Sequence, residues 1–207
     1  MIQALIFDLG GVIVPLDYRA ARAAIQRVSS LSPESIEERI ASSGLVEPFE
    51  TGKLSAEEFY QALSAQLGLK VSYEEFVLLW SALFPAQTLI PEAFLEGLHR
   101  RYKLILLSNT NPIHFSYIQR NYPILRHFDA YVLSYQVGVL KPERAMYEAA
   151  LAAAGCHPEE CFYTDDDPRN VEAALRFGFD AELFQGFEQL REALVRRSIA
   201  VDHLSES

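Results

Sequence analysis

The sequence predicts an α/β protein with a doubly wound, parallel Rossmann-like sheet and an inserted helical domain. Met1–Phe7 is almost entirely apolar and stops at an acid followed by two glycines, which is typical of a strand buried on both faces. Past residue 91, short apolar runs alternate with helical patterns, as in a parallel sheet covered by helices on both faces. Between these regions, from residue 17 to about 86, only helical signals occur.

The inserted helices are predicted by apolar spacing and by helix-start signals. One helix face is indicated by residues spaced three, four and seven apart: Ala21, Ala24, Ile25 and Val28. Three serines can each cap a helix, because proline follows directly or glutamate follows three residues later: Ser32-Pro33, Ser55–Glu58 and Ser72–Glu75. We call residues 15–87 the helical insert.

The rest of the chain is predicted to continue the sheet. The further strands are expected at Lys103–Leu107, Ala130–Leu133, Cys161–Thr164 and Asp180–Phe184. The helices are expected from Asn111-Pro112, at Pro142–Ala154 and Pro168–Phe177, and near Glu188–Arg197. We therefore expect an α/β core of residues 1–14 and 88–199, and a flexible tail at residues 200–207.

Composition excludes several classes of partner. The 207 residues include 28 Asp and Glu against 18 Lys and Arg, a net charge of −10, so binding to nucleic acid or to an anionic membrane is not expected. No apolar run approaches the roughly 18 residues of a membrane span, and the first basic residue is Arg19. Two cysteines, Cys156 and Cys161, are too few for a disulfide scaffold. We expect a soluble cytoplasmic protein.

Polar residues follow the predicted strands at the edge where such sheets bind ligands. Asp8 is followed by Gly10 and Gly11, which leave its carboxylate free of bulky neighbours. Such a carboxylate can attack phosphorus and form an aspartyl-phosphate. The structural alternative is an acid that only caps the junction between strand and turn.

A run of acids follows the fourth predicted strand. Asp167 precedes Pro168 and is explained as a helix N-cap, whereas Asp165 and Asp166 are not. If they share a crevice with Asp8, three carboxylates repel one another unless a cation is present. Mg²⁺ would resolve this repulsion and would also neutralise an incoming phosphate. If they do not share one, the acidic loop is merely solvated.

Two further positions complete the candidate site. Ser108 and Asn109 stand where a strand ends and a helix begins, so hydroxyl and N–H groups there suit an oxyanion. Lys141 alone is explained as a solvated lysine, but beside three acids and a phosphate it supplies positive charge. Nucleophile elbows, P-loops, zinc motifs and dinucleotide fingerprints are absent from the sequence.

Taken together, the motifs resemble the haloacid dehalogenase-like (HAD) hydrolase superfamily. They are Phe7–Val12, Leu107–Asn109, Lys141–Glu143 and Asp165-Asp166, and their order and spacing agree over nearly the whole chain. The stretch 106–174 is most similar to a bacterial subgroup that includes α-D-glucose-1-phosphate phosphatase. The helical insert resembles the superfamily's α-helical cap, with residues 49–53 as a loop that faces the site.

The resemblance implies a role for each site residue. Asp8 would be the nucleophile, Ser108 and Asn109 would bind the transferred phosphoryl group, and Lys141 would hold its charge and orient Asp8. The Mg²⁺ ligands that it implies are Asp8, the backbone carbonyl of Gly10, Asp166 and, in support of Asp166, Asp165.

The sequence departs from the family pattern at two positions. Gly10 stands where the family's phosphatases usually carry a second aspartate as general acid and base, and such catalysis contributes about 10²–10⁴-fold, or roughly 3–5 kcal/mol. Asp17, His114 or a metal-bound water are candidates to replace it; the alternative is a substrate that needs little protonation, such as an anomeric sugar phosphate. Asn170 stands where a further acid is common.

These inferences predict an Mg²⁺-dependent phosphomonoesterase that acts on a small phosphorylated metabolite, such as a sugar phosphate. One alternative is a catalytically weak or inactive scaffold of the same family with a binding or regulatory role, because Gly10 stands in place of the usual second aspartate. Another is a metal-free 2-haloacid dehalogenase. Four side chains of the cap are expected to reach the substrate or to pack between domains: Tyr18, Arg19, Phe49 and Lys53. The oligomeric state is left open.

Overall fold

The computed structural model describes residues 1–201, and within them five strands form one parallel sheet. The strands are β1 (Ala4–Phe7), β2 (Lys103–Ser108), β3 (Ala130–Leu133), β4 (Cys161–Asp165) and β5 (Asp180–Leu183). Their order is β3-β2-β1-β4-β5, with β1 at the centre. This is the strand order of a Rossmann-like sheet, so the predicted fold class is confirmed. Of the tail predicted at 200–207, residues 202–207 lie outside the described range.

Six helices of the described chain lie between β1 and β2. They are α1 (Tyr18–Gln26), α2 (Pro33–Ser42), α3 (Val46–Glu50), α4 (Ala56–Leu67), α5 (Tyr73–Trp80) and α6 (Glu92–His99). Five more follow: α7 (Pro112–Asn121), α8 (Ser134–Val137), α9 (Arg144–Ala154), α10 (Pro168–Phe177) and α11 (Phe187–Arg196). Short 3₁₀ turns span Pro123–His127 and Pro158–Glu160. Among the helices of residues 1–201, none has the length and apolar character required to cross a lipid bilayer.

The sheet is covered on both faces because alternate residues of each strand point to opposite sides. Leu5 and Phe7 of β1 pack in one apolar cluster with α6, α7 and α11, while Ala4 and Ile6 pack in another with α9 and α10. All four side chains of β1 are buried. The apolar run at the start of the sequence therefore forms the centre of the molecule.

The helical insert has an apolar cluster of its own. Phe49 of α3 stacks on Phe59 of α4 with ring centroids 4.1 Å apart, and Phe76 of α5 meets Phe59 edge-on. The predicted capping boxes are present at Ser55 and Ser72, where each serine accepts an N–H three residues later. Ile113 of α7 joins this cluster, so the insert packs directly on a helix of the sheet layer.

The chain leaves and re-enters the sheet layer through two adjacent connections. The Asp17 N–H donates to the Leu83 carbonyl at 2.7 Å, and the Leu89 N–H donates to the Ile13 carbonyl at 2.9 Å. These hydrogen bonds hold the two connections side by side. The two covalent connections of the helical insert therefore lie together, above the carboxyl end of β1.

Candidate active site

The predicted site residues lie together at the carboxyl edge of the sheet. Asp8 follows β1, Ser108 ends β2, and Asp165 ends β4. The Asp8 N–H donates to the Thr164 carbonyl at 3.0 Å, which extends the pairing of β1 with β4 by one residue. The backbone of Asp8 is therefore fixed by the sheet itself.

A tight turn follows Asp8 and brings the chain close to Asp166. The Gly11 N–H donates to the Val14 carbonyl at 2.8 Å. Gly11 has φ +81°, and a Cβ there would overlap the Asp166 carboxylate. Glycine is thus required at this position both by the backbone conformation and by the close approach of an acid.

Lys141, in the loop between α8 and α9, connects two of the acids. Its Nζ lies 2.7 Å from Oδ1 of Asp8 and 2.6 Å from Oδ2 of Asp165, and it donates to the Leu107 carbonyl at 3.0 Å. Burial acts to lower the pKa of Lys141, but Asp8 and Asp165 outweigh burial and raise it above its ordinary value. The ammonium group therefore stays charged although its side chain is only 1% exposed.

Asp8 lies in an environment that disfavours its charge. Burial raises the pKa of Asp8 to about 7; the ammonium of Lys141 opposes the rise and the charge of Asp165 adds to it. A second cation beside this carboxylate would favour its ionised, nucleophilic form.

Asp165 is buried, and its oxygens are already occupied by donors. Oδ1 accepts from the Asp167 N–H at 2.8 Å and from Nδ2 of Asn170 at 3.1 Å. Oδ2 accepts from Lys141 and from the Tyr163 hydroxyl. A carboxylate has about four lone-pair sites, so these bonds favour a role for Asp165 in holding Lys141.

Asp8, Asp165 and Asp166 form a cluster that could hold a metal ion. One carboxylate oxygen from each lies within 4.8 Å of the others. Burial and the neighbouring Asp165 raise the pKa of Asp166. Three mutually repelling carboxylates with oxygen donors at this spacing suit a small, hard cation. The sequence-based expectation that these acids share a crevice thus agrees with the geometry.

The side-chain amide of Asn109 forms two hydrogen bonds with the backbone of Lys141. Its Nδ2 donates to the Lys141 carbonyl at 3.1 Å, and its Oδ1 accepts from the Lys141 N–H at 2.7 Å. Ser108 is buried, and its hydroxyl donates to the Asn109 carbonyl at 3.3 Å. Sequence reasoning missed this pairing, which ties the Lys141 loop to the end of β2.

A second pair of hydrogen bonds joins the turn after β2 to the start of α8. The Ser134 hydroxyl accepts from the Thr110 N–H and donates to the Thr110 carbonyl, both at 2.9 Å. Ser134 begins α8, so this pair fixes the start of that helix to the turn after β2. Nothing in the sequence signalled it beyond the position of Ser134 after a strand.

A cavity of about 400 Å³ opens from this edge toward the helical insert. Its floor includes Gly10, Ser108 and Asn109. The apolar wall comes mainly from Leu16, Ile25, Ile40, Val46, Trp80, Leu83, Phe84 and Ile118, and the ionisable side chains in it are Tyr18, Arg22, Glu37, Glu50 and His114. The site therefore has room for a leaving group beside the acidic cluster.

The four predicted cap residues take different positions. Tyr18 lines the cavity, and Lys53 lines a neighbouring depression. Phe49 is buried in the cluster of the helical insert, where it packs and does not reach the cavity surface. Arg19 is exposed and lies outside the cavity wall. Glu50, which the sequence placed in a loop, is the last residue of α3 and lines the cavity.

Two candidates for the missing general acid are engaged in structural bonds. Asp17 caps α1 by accepting the Ala20 N–H at 2.9 Å. The His114 ring nitrogens meet Nδ2 of Asn111 at 3.0 Å and the Trp80 carbonyl at 2.9 Å. Burial lowers the pKa of His114 to about 4, so its ring is neutral near pH 7 and donates its one N–H to Trp80. Neither side chain is placed as a proton donor.

Comparison with known proteins identifies the family. Residues 2–178 match the haloacid dehalogenase-like hydrolases. The chain belongs to this family. The resemblance seen in the sequence motifs is thereby confirmed, whereas the narrower likeness to glucose-1-phosphate phosphatases stays a prediction.

Several members of this HAD-like family are similar over most of their length. A D-ribitol-5-phosphate phosphatase of Bacteroides thetaiotaomicron is 30% identical over 186 residues, which are 87% of this chain and 90% of that protein. A phosphatase of Mycobacterium tuberculosis is 30% identical over 203 residues, or 94% and 93% of the two chains. A HAD family enzyme of Bacteroides thetaiotaomicron, solved in complex with magnesium and inorganic phosphate, has a TM-score of 0.80 at 28% identity and covers 90% of this chain and 96% of its own.

Proposed function

We propose that this protein is an Mg²⁺-dependent phosphatase that hydrolyses the phosphomonoester of a small metabolite through a phosphoryl-Asp8 intermediate. The observation that carries the proposal is the meeting of Asp8, Lys141 and two further acids at one edge of the sheet, beside a cavity of about 400 Å³. Relatives of similar length are phosphatases, which supports this chemistry over the other activities that the fold can host.

Asp8 is the proposed nucleophile. An Asp8 oxygen attacks phosphorus while the bond from phosphorus to the ester oxygen breaks, and water later releases phosphate and restores Asp8. Lys141 orients Asp8 through its 2.7 Å contact and stabilises the charge on the phosphoryl oxygens. Ser108 and the backbone of Asn109 are proposed to bind those oxygens, with the Asn109 side chain holding Lys141 in place.

Magnesium is the proposed metal because the acidic cluster fits it and a structural neighbour was solved with magnesium and inorganic phosphate. Asp8, the backbone carbonyl of Gly10 and Asp166 would hold the ion, and Asp165 would support the cluster from behind. When bound, Mg²⁺ supplies positive charge that neutralises the phosphate and favours ionised Asp8.

The proposed substrate is a sugar or polyol phosphate. One relative is named for D-ribitol 5-phosphate, and the cavity beside the acidic cluster has the volume for a small leaving group. The helical insert, residues 15–87, is proposed as the cap that covers this leaving group and excludes water. Gly10 is compatible with either of two arrangements: an anomeric sugar phosphate whose leaving oxygen needs little protonation, or a proton donor elsewhere in the cavity.

The function is tested by phosphate release from an aryl phosphate with and without Mg²⁺, for the native chain and for Asp8→Asn. We expect release that requires Mg²⁺ and that falls to background in Asp8→Asn. An inactive scaffold would release no phosphate under either condition. A dehalogenase would act on 2-haloacids in the presence of EDTA, and that result would contradict the proposal.

The substrate class is tested with a panel of anomeric, alkyl and aryl phosphates. The anomeric proposal predicts faster turnover of an anomeric sugar phosphate than of an alkyl phosphate of the same size. Equal rates for all three ester types would contradict the idea that the leaving group compensates for Gly10 and would favour a proton donor elsewhere in the cavity.

A further inference from the structure

Gly10 leaves the ester oxygen of the substrate without the usual proton donor, and the cavity offers another carboxyl group. Glu50 ends α3 and lines the same cavity as Gly10, Ser108 and Asn109. The preceding residue, Phe49, is buried and stacks on Phe59 at 4.1 Å. This packing fixes the end of α3 and therefore the origin of the Glu50 side chain.

Within residues 1–201, the Glu50 carboxyl has neither an ion pair nor a side-chain hydrogen bond. Arg22 is the cation in the cavity wall, and it is paired with Glu37 at 2.5 Å. His114 is neutral and bonded to Asn111 and Trp80. A partly buried carboxyl group without a partner costs free energy in its ionised form, so a structural reason for an acid at this position is lacking.

The acid–base properties of Glu50 suit proton transfer near neutral pH. Burial raises the pKa of Glu50 to about 7, which is the value at which a group can both give and accept a proton. Burial and then the charges of Glu50 and Asp166 raise the pKa of Tyr18. The Tyr18 phenol is therefore within electrostatic reach of both the Glu50 and the Asp166 carboxylates.

We propose that Glu50 is the general acid and base that replaces the aspartate missing at Gly10; this rests on the proposed phosphatase function. As Asp8 bonds to phosphorus and the ester bond breaks, the Glu50 carboxyl gives its proton to the leaving oxygen, which departs as an alcohol. Glu50 then takes a proton from water as the water oxygen bonds to phosphorus. The bond between phosphorus and Asp8 breaks, which releases phosphate and restores the Asp8 carboxylate.

Several charged or titratable groups surround Glu50 and enter its pH dependence. From α1 they are Tyr18 and Arg22, from α2 Glu37, from α3 Glu47, from the loop after α3 Lys53, from α7 His114, and from the loop after β4 Asp166. Asp8 also titrates in the site. A test must therefore separate proton donation to the leaving group from ionisation of the nucleophile.

A comparison of alkyl and aryl phosphates separates proton donation from ionisation of Asp8. An aryl oxide leaves without protonation, whereas the alkoxide of a polyol phosphate requires it. For Glu50→Gln we expect the rate of alcohol release from an alkyl phosphate in the first turnover to fall by about 10²–10⁴-fold, while release of the aryl oxide from an aryl phosphate in the first turnover changes little. Glu38→Gln, at an exposed position on α2 that does not line the cavity, is the matched control and should leave both rates unchanged.

The pH profile provides a second readout. In the native enzyme, the ratio of alkyl to aryl cleavage rates should fall as pH rises through about 7, because Glu50 loses the proton that it donates. Ionisation of Asp8 affects both substrates and cancels in the ratio. In Glu50→Gln the ratio should be low and independent of pH.

The outcomes distinguish this proposal from the function on which it rests. Equal losses for both substrates in the first-turnover release of the leaving group by Glu50→Gln, or no loss for either, would overturn the role of Glu50 while Mg²⁺-dependent phosphate release by the native chain upheld the phosphatase. Absence of Mg²⁺-dependent release from the native chain would overturn both. Aryl cleavage by Glu50→Gln also shows directly that the variant is folded.

Discussion

Lys141 is the residue on which the charge balance of the site depends. It lies between Asp8 and Asp165, at 2.7 and 2.6 Å, and it is buried with them. Removal of one member of a buried ion pair leaves an uncompensated charge, which costs far more than the net contribution of the intact pair. The same residue therefore supports the fold and, in the proposed mechanism, the chemistry.

Replacement of Lys141 should damage stability and activity together. For Lys141→Met we expect the free energy of unfolding to fall by about 3–5 kcal/mol in the absence of metal, and phosphate release to fall to near background. Urea unfolding and an aryl phosphate assay measure the two effects. Lys70→Met, at an exposed position, is the control, and similar behaviour of the two variants would contradict the assigned role.

Asn170 supports Asp165 at a position where the family often has an acid. Its Nδ2 donates to both Asp165 oxygens at 3.1 and 3.2 Å. In Asn170→Asp a donor becomes a second negative charge, so we expect a loss of about 1–3 kcal/mol in the free energy of unfolding without metal. Asn121→Asp, on the exposed end of α7, should cost much less. Equal stability of Asn170→Asp and the native chain would show that this hydrogen bond is not needed.

At the scale of elements, the contact of the helical insert with α8 positions the end of α3. Gly52 has φ +69°, and a Cβ there would overlap the Tyr135 carbonyl oxygen in α8. Gly68, at the end of α4, has nearly the same φ of +65° but no atom within 4 Å of an added Cβ. At either position an added side chain would be strained by the left-handed backbone, but only at Gly52 would it also meet a neighbouring atom.

This pair allows the contact to be tested separately from the strain. Gly68→Ala should cost about 1–2 kcal/mol of unfolding free energy through its left-handed backbone and should leave the catalytic constant unchanged. Gly52→Ala should cost more and should also lower the catalytic constant, because α3 must move away from α8. Equal effects in thermal unfolding and turnover would mean that the contact has no role.

His114 joins α7 to α5, and its neutral state is required there. Its ring stacks on Trp80 with centroids 5.4 Å apart and bonds to the Trp80 carbonyl at 2.9 Å. Because burial lowers its pKa from 6.5 to about 4, the stability that neutral His114 contributes is complete above pH 6.5. It is lost as pH falls through the range between these two values.

The expected size of this effect is about 2 kcal/mol on going from about pH 7.5 to about pH 5. Urea unfolding at both pH values measures it. His114→Phe keeps an aromatic ring that does not titrate, so its loss of stability over this range should be smaller than that of the native chain by about the same amount. Equal losses in the two proteins would contradict a buried neutral histidine.

At the scale of the whole molecule, the two layers divide the proposed reaction between them. The sheet edge carries Asp8, Lys141 and the acidic cluster, while the helical insert contributes Glu50 and the wall of the cavity. The paired connections at Asp17–Leu83 and Ile13–Leu89 hold the layers together at one side. Chemistry at phosphorus is thus assigned to the sheet, and handling of the leaving group to the insert.

The sheet and its edge were predictable because strong local signals specify them. The apolar run before Asp8 is buried as β1. The strands at 130–133 and 180–183 lie where the alternation of apolar runs with helical patterns predicted strands. The predicted serine caps of α4 and α5 are present. Parallel strands then bring their carboxyl ends to one edge whatever the distance along the chain. Asp8 and Asp165 meet for that reason, and Lys141 reaches both from the loop after α8.

The parts that escaped prediction depend on tertiary contacts. Helices α3 and α8 are only five and four residues long, which is too short for an apolar period to show, and α6 follows Pro91 without a side-chain cap. The position of Glu50 depends on Phe49 stacking against Phe59. The bonds from the Asn109 amide to Lys141 join loops 32 residues apart, which no spacing rule connects.

The most direct measurement asks whether Asp8 becomes phosphorylated. The native enzyme is mixed with Mg²⁺ and an aryl phosphate, quenched in acid during turnover, digested and analysed by mass spectrometry. We expect the mass of one phosphoryl group on the peptide that contains Asp8, and none in Asp8→Asn. Continued turnover with no phosphoryl group on that peptide, or with the group on another residue, would contradict a mechanism through Asp8.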